Sequence, residues 1–133
     1  MVSMPQQVID MINHPSTNKV MATVSPEGHP HTIVCGSLMT ADPETIVVGE
    51  VFMYRTIQNL ENDPHVEFIV WKGRDAYSIQ AVSMERKTDG PEFVKMHEML
   101  SKMNMEVSAV WTFRAIEVWD ESASKNAGEK VVG

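Results

Sequence analysis

The chain contains one cysteine, Cys35, so no disulfide can form within it. The opening "MVSMPQQVIDMINHP" has neither the basic start nor the continuous apolar block of a secretory signal. Together these absences point to a reducing, cytoplasmic setting. No apolar run approaches the roughly 20 residues that span a bilayer, so a membrane span is not expected. Basic residues are few, 11 Lys and Arg against 18 Asp and Glu, and the net charge is −7. Proteins that track phosphate backbones carry the opposite balance, so nucleic acid is not an expected partner. There are no internal repeats and no interdomain linker. What remains is a chain of 133 residues, 43% hydrophobic and 22% charged, enough for one folded domain around a single core. We place that domain at residues 1–120 and a polar tail at 121–133. Eleven methionines suit core or interface packing.

Periodicity divides the domain into short elements. Ser3 and Gln6 have capping-box spacing ahead of Val8, Met11 and Ile12, and His14-Pro15 stops the segment, which predicts a short N-terminal helix. The β-branched runs "KVMATVS" and "HTIVCGSLMT" flank "PEGHP" and predict a hairpin. "ETIVVGE" follows the turn "ADPE" too closely for a crossover helix, so these three strands should pair antiparallel. Between Tyr54 and Asn62, Ile57 and Leu60 share a helical face until "NDP" ends the helix, because proline disfavours helical geometry in the residue before it. "HVEFIVW", "AYSIQAVSMER" and "SAVWTFRAIEVW" read as further strands. "TDGPEFVKMHEML" is the clearest helix: Asp89 can cap it, Pro91 suits its first turn, and Phe93, Met96, Leu100 and Met103 form one apolar stripe. The tail is too poor in large apolar groups to fold alone. Six strands with a few short helices predict a mainly β fold, a small six-stranded antiparallel barrel whose closure removes exposed edges.

Arg55 and Thr56 stand where a strand gives way to a helix. A guanidinium fork, a hydroxyl and the unpaired N–H groups of a first helical turn together favour a phosphate or carboxylate. Other candidates weigh less. His29 and His31 flank Pro30 without a third metal ligand at suitable spacing. Cys35 has no basic neighbour in its local sequence to lower its pKa and reads as packing. Trp71, Trp111 and Trp119 lie at or near strands, where core or dimer packing is the ordinary role. Lys72 and Arg74 read as a solvated loop, and Asp120 and Glu121 belong to the edge of the polar tail.

The wider stretch "VVGEVFMYRTIQNLENDPHVEFIV" resembles the signature of the pyridoxamine 5'-phosphate oxidase-like, FMN-binding split barrels: a strand, a small-residue turn, a basic residue beside Thr or Ser, then an "NL" and "DP.V" helix exit. The resemblance runs from about Lys19 to Trp119, and "RKTDGPEF" is similar to the matching region of the small FMN-binding proteins of sulfate-reducing bacteria. It implies a six-stranded split barrel that forms a homodimer with FMN in a groove at the subunit interface. Arg55 and Thr56 would hold the FMN phosphate. Gly49, Glu50 and Val51 would lie along the isoalloxazine ring with main-chain groups at its polar edge. Val34, Cys35, Gly36 and Ser37 would approach the ring from the neighbouring strand.

Three departures stand out. Arg55 replaces a lysine common in the family, and a Glu50 carboxylate beside a flavin would disfavour the anionic reduced ring unless it points away. "CGS" supplies small groups where the small FMN-binding proteins place a bulky aromatic, which implies a more open face. The function implied is that of an FMN-dependent oxidoreductase, flavin-reductase-like, or an electron carrier, with no side chain named as catalytic. A second reading is a non-catalytic module binding or sensing flavin, deazaflavin or haem, with His29, His31 and His65 as candidate axial ligands. A pyridoxamine-phosphate oxidase in the strict sense is disfavoured, since no basic C-terminal substrate segment is recognisable.

Overall fold

The computed structural model describes residues 1–133. In chain order the elements are α1 (Gln6–Asn13), β1 (Asn18–Val24), β2 (Pro30–Val34), β3 (Leu38–Asp42), β4 (Thr45–Gly49), α2 (Tyr54–Asn62), β5 (His65–Lys72), β6 (Asp75–Lys87), α3 (Pro91–Ser101), β7 (Val110–Asp120) and β8 (Lys130–Val132). No helix is long and apolar enough to cross a membrane.

The strands form one antiparallel sheet in the order β2-β1-β5-β6-β7-β4-β3, with β8 pairing β7. Its two edges, β2 and β3, are consecutive in the chain and joined only by residues 35–37. Four Cα steps reach at most ~14 Å. The sheet therefore curls until its edges nearly meet, giving a barrel that is split along a seam where β2 and β3 do not pair. The hairpin β1–β2 and the antiparallel pair β3–β4 are as the sequence predicts, and so is the mainly β split-barrel class. The count is eight strands rather than six. "HTIVCGSLMT" serves both edges and must break at the seam, and residues 130–132 of the tail dock on the edge of β7 beyond β4. Register shifts at Gln80/Ala81 and Ser83/Glu85 in β6 account for its imperfect alternation.

The barrel interior holds Met21, Ile46, Val48, Phe68, Phe113 and Val118, with the Phe68 and Phe113 rings edge to face at 5.4 Å. Met4, Val8 and Ile12 of the N-terminal segment are buried in the same core. Val2 N–H donates to the Ala115 carbonyl at 3.0 Å, and Met4 N–H to the Pro43 carbonyl at 2.8 Å. A second cluster forms where Met96 and Leu100 of α3 cover Met39, Val47 and Val110. Most of β4 and the first four residues of β7 are therefore buried on both faces, which is why "TIVV" and "VWTF" run apolar instead of alternating.

Two caps differ from expectation. Ser3 lies two residues too early to serve α1, whose N-cap is Pro5. Pro91 takes the first position of α3, so the cap falls on Gly90 and not on Asp89. Of the α3 stripe, Met96 and Leu100 are buried, Phe93 is half-buried, and Met103 lies beyond the helix end and is exposed.

Candidate functional site

The path from β4 into α2 builds the site. Gly49 ends β4 under α3: a Cβ here would stand 2.9 Å from Met96 Cγ and 3.2 Å from Ser37 Cβ, so only glycine fits without displacement. Its N–H donates to the Ser37 carbonyl at 2.8 Å, and its carbonyl accepts from Ser37 Oγ at 2.8 Å. Glu50 is tied on both sides, its N–H to the Ala109 carbonyl at 2.8 Å and its carbonyl to the Ser108 N–H at 3.2 Å. Its buried carboxylate accepts from Arg86 Nε and Nη2, each at 2.9 Å. The Glu50 charge is thus turned toward β6 and paired with an arginine. Next, Phe52 holds a left-handed backbone, φ 51°, while its side chain is 82% exposed. That conformation costs a non-glycine residue ~1–2 kcal/mol.

Met53 is the N-cap of α2 and provides no capping side chain. The first helical bond runs from Ile57 N–H to the Met53 carbonyl at 3.0 Å, so the N–H groups of Tyr54, Arg55 and Thr56 have no partner. Thr56 is 1% exposed and its Oγ1 makes no hydrogen bond. Across from it, His31 of β2 has a buried Nδ1 without a partner. His31, Arg55 and Thr56 line one cavity of about 260 Å³ with Ile33, Phe52, Met53 and Tyr54. Burial first, and the Arg55 charge second, hold the His31 pKa below the ordinary histidine value.

A larger cavity of about 500 Å³ adjoins it, sharing Ile33, Phe52 and Met53. One wall is the seam, Val34, Cys35, Gly36 and Ser37; Gly49 and Val51 are also among its lining residues. Thr17 and Lys19 line it from the β1 side, and Leu100, Met103 and Met105 from the α3 side. Burial pushes the Cys35 thiol up to about 11, so it is neutral at physiological pH. Lys19 donates to the Leu38 carbonyl at 3.2 Å across the seam, and burial holds its pKa below the usual lysine value against a smaller opposing effect of Cys35. Glu50 lines a third space of about 370 Å³, which Val51, Phe52, Met53 and Tyr54 also border. Phe52 and Met53 stand at the junction of all three.

The sequence-chosen residues therefore gather in one groove, with Arg55 and Thr56 at one end and residues 34–37, Gly49 and Val51 in the body. Glu50 stands behind it. Sequence reasoning missed Thr17, Lys19 and Phe52 and weighed His31 only as a ligand to metal or haem. For Lys19 a signal existed, a lone charge in the strand "KVMATV". Of the other histidines, His29 is exposed in the β1–β2 turn, and His65 Nδ1 lies 2.8 Å from Asp63 Oδ1 beside a separate cavity of about 290 Å³. No three His, Cys, Asp or Glu side chains gather as a metal centre requires. Four buried side-chain polar atoms have no partner, and three of their residues, Thr17, His31 and Thr56, line this groove.

Known proteins share this fold. The family model for pyridoxamine 5'-phosphate oxidase matches residues 5–125. An FMN-binding protein from Syntrophomonas wolfei subsp. wolfei superposes with a TM-score of 0.78 at 18% identity, over 90% of this chain and 87% of that one. HupZ of Group A Streptococcus gives 0.76 at 22% identity, over 96% and 100% of the two chains. HutZ, the heme storage protein from Vibrio cholerae, gives 0.60 at 14% identity, over 99% and 98%. At such identities the likeness establishes the shared fold. No curated protein matches the chain.

Proposed function

The chain belongs to the pyridoxamine 5'-phosphate oxidase family, and on that footing we propose that it is an FMN-binding oxidoreductase or electron carrier that anchors the FMN phosphate on Arg55 and Thr56. The observation that carries this is the start of α2: an orphaned, buried Thr56 hydroxyl, three unpaired N–H groups and a guanidinium around one cavity. Phosphate oxygens accept hydrogen bonds, and these groups donate them. The adjoining groove, about 500 Å³ and mostly apolar, falls in the range of cofactor sites and suits a flat ring.

Bound FMN would supply hydride or one-electron chemistry. The chain's own residues bind and orient. Arg55 and Thr56 fix the phosphate end. The N–H groups of Gly36 and Val51, which no other group in the chain engages, are free for a polar ring edge. The Arg86 guanidinium neutralises Glu50, which removes the objection that a carboxylate there would oppose a reduced, anionic ring.

The rim supports a homodimer with FMN at the interface: Val34 is 87% exposed, and Phe52, Tyr54, Met103 and Met105 are exposed around the groove. An apolar rim of this kind is what a second copy covers. Haem is the second reading, favoured by His31. Of the three candidate histidines it alone lines the groove, and burial holds its pKa below the ordinary histidine value.

The first test is the visible spectrum as purified, then after FMN addition and removal of the unbound fraction. A retained two-band flavin spectrum is expected. Arg55→Ala should weaken FMN by roughly 10- to 100-fold, the worth of a charged hydrogen bond, and leave riboflavin binding unchanged. A Soret band would move the assignment to haem, and a colourless protein that rejects FMN would end the flavin reading. Turnover with a nicotinamide donor then separates an oxidoreductase from a binding module.

A further inference from the structure

Lys19 is a half-buried cation with no acid to pair it. Its ammonium donates to the Leu38 carbonyl, and no carboxylate lies within ion-pair distance. A carbonyl accepts one of three donors and carries no compensating charge. Cys35 beside it is a neutral thiol and supplies none either. Two residues back on the same cavity wall, Thr17 Oγ1 is buried without a partner.

This corner is separate from the phosphate end. The β1–β2 register pairs Thr23 with His31 and Val20 with Val34, and Cys35 N–H donates to the Lys19 carbonyl at 3.0 Å. Lys19 is therefore level with Cys35, four strand residues or ~13 Å from His31. One small anion cannot touch both ends. Space is also present, since a Cβ on Gly36 would meet nothing within 4 Å.

We propose that the Thr17–Lys19 end of the groove is a subsite for an anionic co-substrate, whose carboxylate or similar oxyanion accepts from the Lys19 ammonium and the Thr17 hydroxyl. The inference rests on the flavin reading, in that FMN is anchored at the Arg55 end while the anion binds against the Thr17–Lys19 wall of the same cavity, beside the ring. A half-buried cation without a counter-charge gains more from an oxyanion than from a neutral group of the same shape. The subsite therefore selects by charge.

Benzoate and its neutral analogue benzamide are the probes, titrated into FMN-loaded protein and followed by the bound-flavin spectrum. In parallel, the Lys19 signal is followed by NMR of protein whose lysines carry ¹³C-methyl groups, with and without FMN. Benzoate is expected to perturb both signals and benzamide neither. Lys19→Met should weaken benzoate at least tenfold and Lys19→Arg should retain it, with FMN affinity changed far less than benzoate affinity. Thr17→Val leaves the seam bond in place and must weaken benzoate in the same direction, so the test survives if Lys19→Met does not fold. Unchanged benzoate binding in these variants, equal binding of benzamide, or no benzoate response in FMN-loaded protein overturns the proposal. So does a loss of FMN affinity in Lys19→Met, which would assign the cation to the cofactor. Failure of the unmodified protein to retain FMN is a different result: it removes the flavin reading, and the NMR titration of the free protein then decides whether an oxyanion binds at Lys19.

Discussion

Inside the barrel, Phe68 and Phe113 meet edge to face and Ile46, Val48 and Val118 close around them. A few residues away on the lip of the groove, Thr17, His31 and Thr56 keep buried polar atoms unpaired, and Phe52 holds a strained backbone with its ring in solvent. The interior is built to be complete within the chain. The lip is built at a local cost, and residues in sparsely populated conformations or with unsatisfied groups concentrate where a protein binds something. Trp111 is the exception, a buried indole N–H without a partner outside the groove.

That contrast can be broken from the core side first. Phe113→Ala should cost ~3–5 kcal/mol, because the ring is fully buried and its neighbours relax only partly into the space. A urea midpoint read by circular dichroism measures it, and a loss below ~2 kcal/mol would mean a core far softer than its packing implies. Gly49→Ala lies on the border between the regions and should cost ~1–3 kcal/mol by driving a methyl group into wholly buried Met96. The same unfolding experiment reads it, and a neutral result would show that Met96 is free to move. The smallest effect sharpens the contrast most. Thr56→Val replaces an unpaired hydroxyl by a methyl group of similar size, so stability should stay level or rise by ~1 kcal/mol. FMN affinity should meanwhile fall about tenfold in a fluorescence titration, as expected for one lost hydrogen bond to a charged group. A loss of stability in this variant would place Thr56 with the core.

Much of this was legible in the sequence because it depends on local signals. The change of period after Tyr54 and the "NDP" stop located α2, and with it the Arg55-Thr56 pair. "PEGHP" located the first hairpin. The break of "HTIVCGSLMT" into β2 and β3 was not legible, because Gly36-Ser37 is a short turn signal inside a β-branched run and the break follows from which distant strands each half pairs with. Glu50 drew concern as a bare carboxylate because its partner Arg86 is 36 residues away. Thr17 was passed over for the same reason, and the lone charge of Lys19 in its strand did not say which site it served, since only the curled sheet brings both to the groove that Arg55 and Thr56 begin.

The bond from Val2 to Ala115, with Met4, Val8 and Ile12 sealed in the barrel, has a consequence for how the molecule is made. During synthesis the segment that stoppers the barrel leaves the ribosome long before β7, the strand that joins β6 to β4. Until β7 emerges, α1 has no finished barrel to close and its apolar face stays open to solvent or to chaperones. Domain completion is therefore a late, all-at-once event governed by non-local pairing. A ribosome stalled before residue 110 would display an aggregation-prone fragment and not a smaller version of the fold.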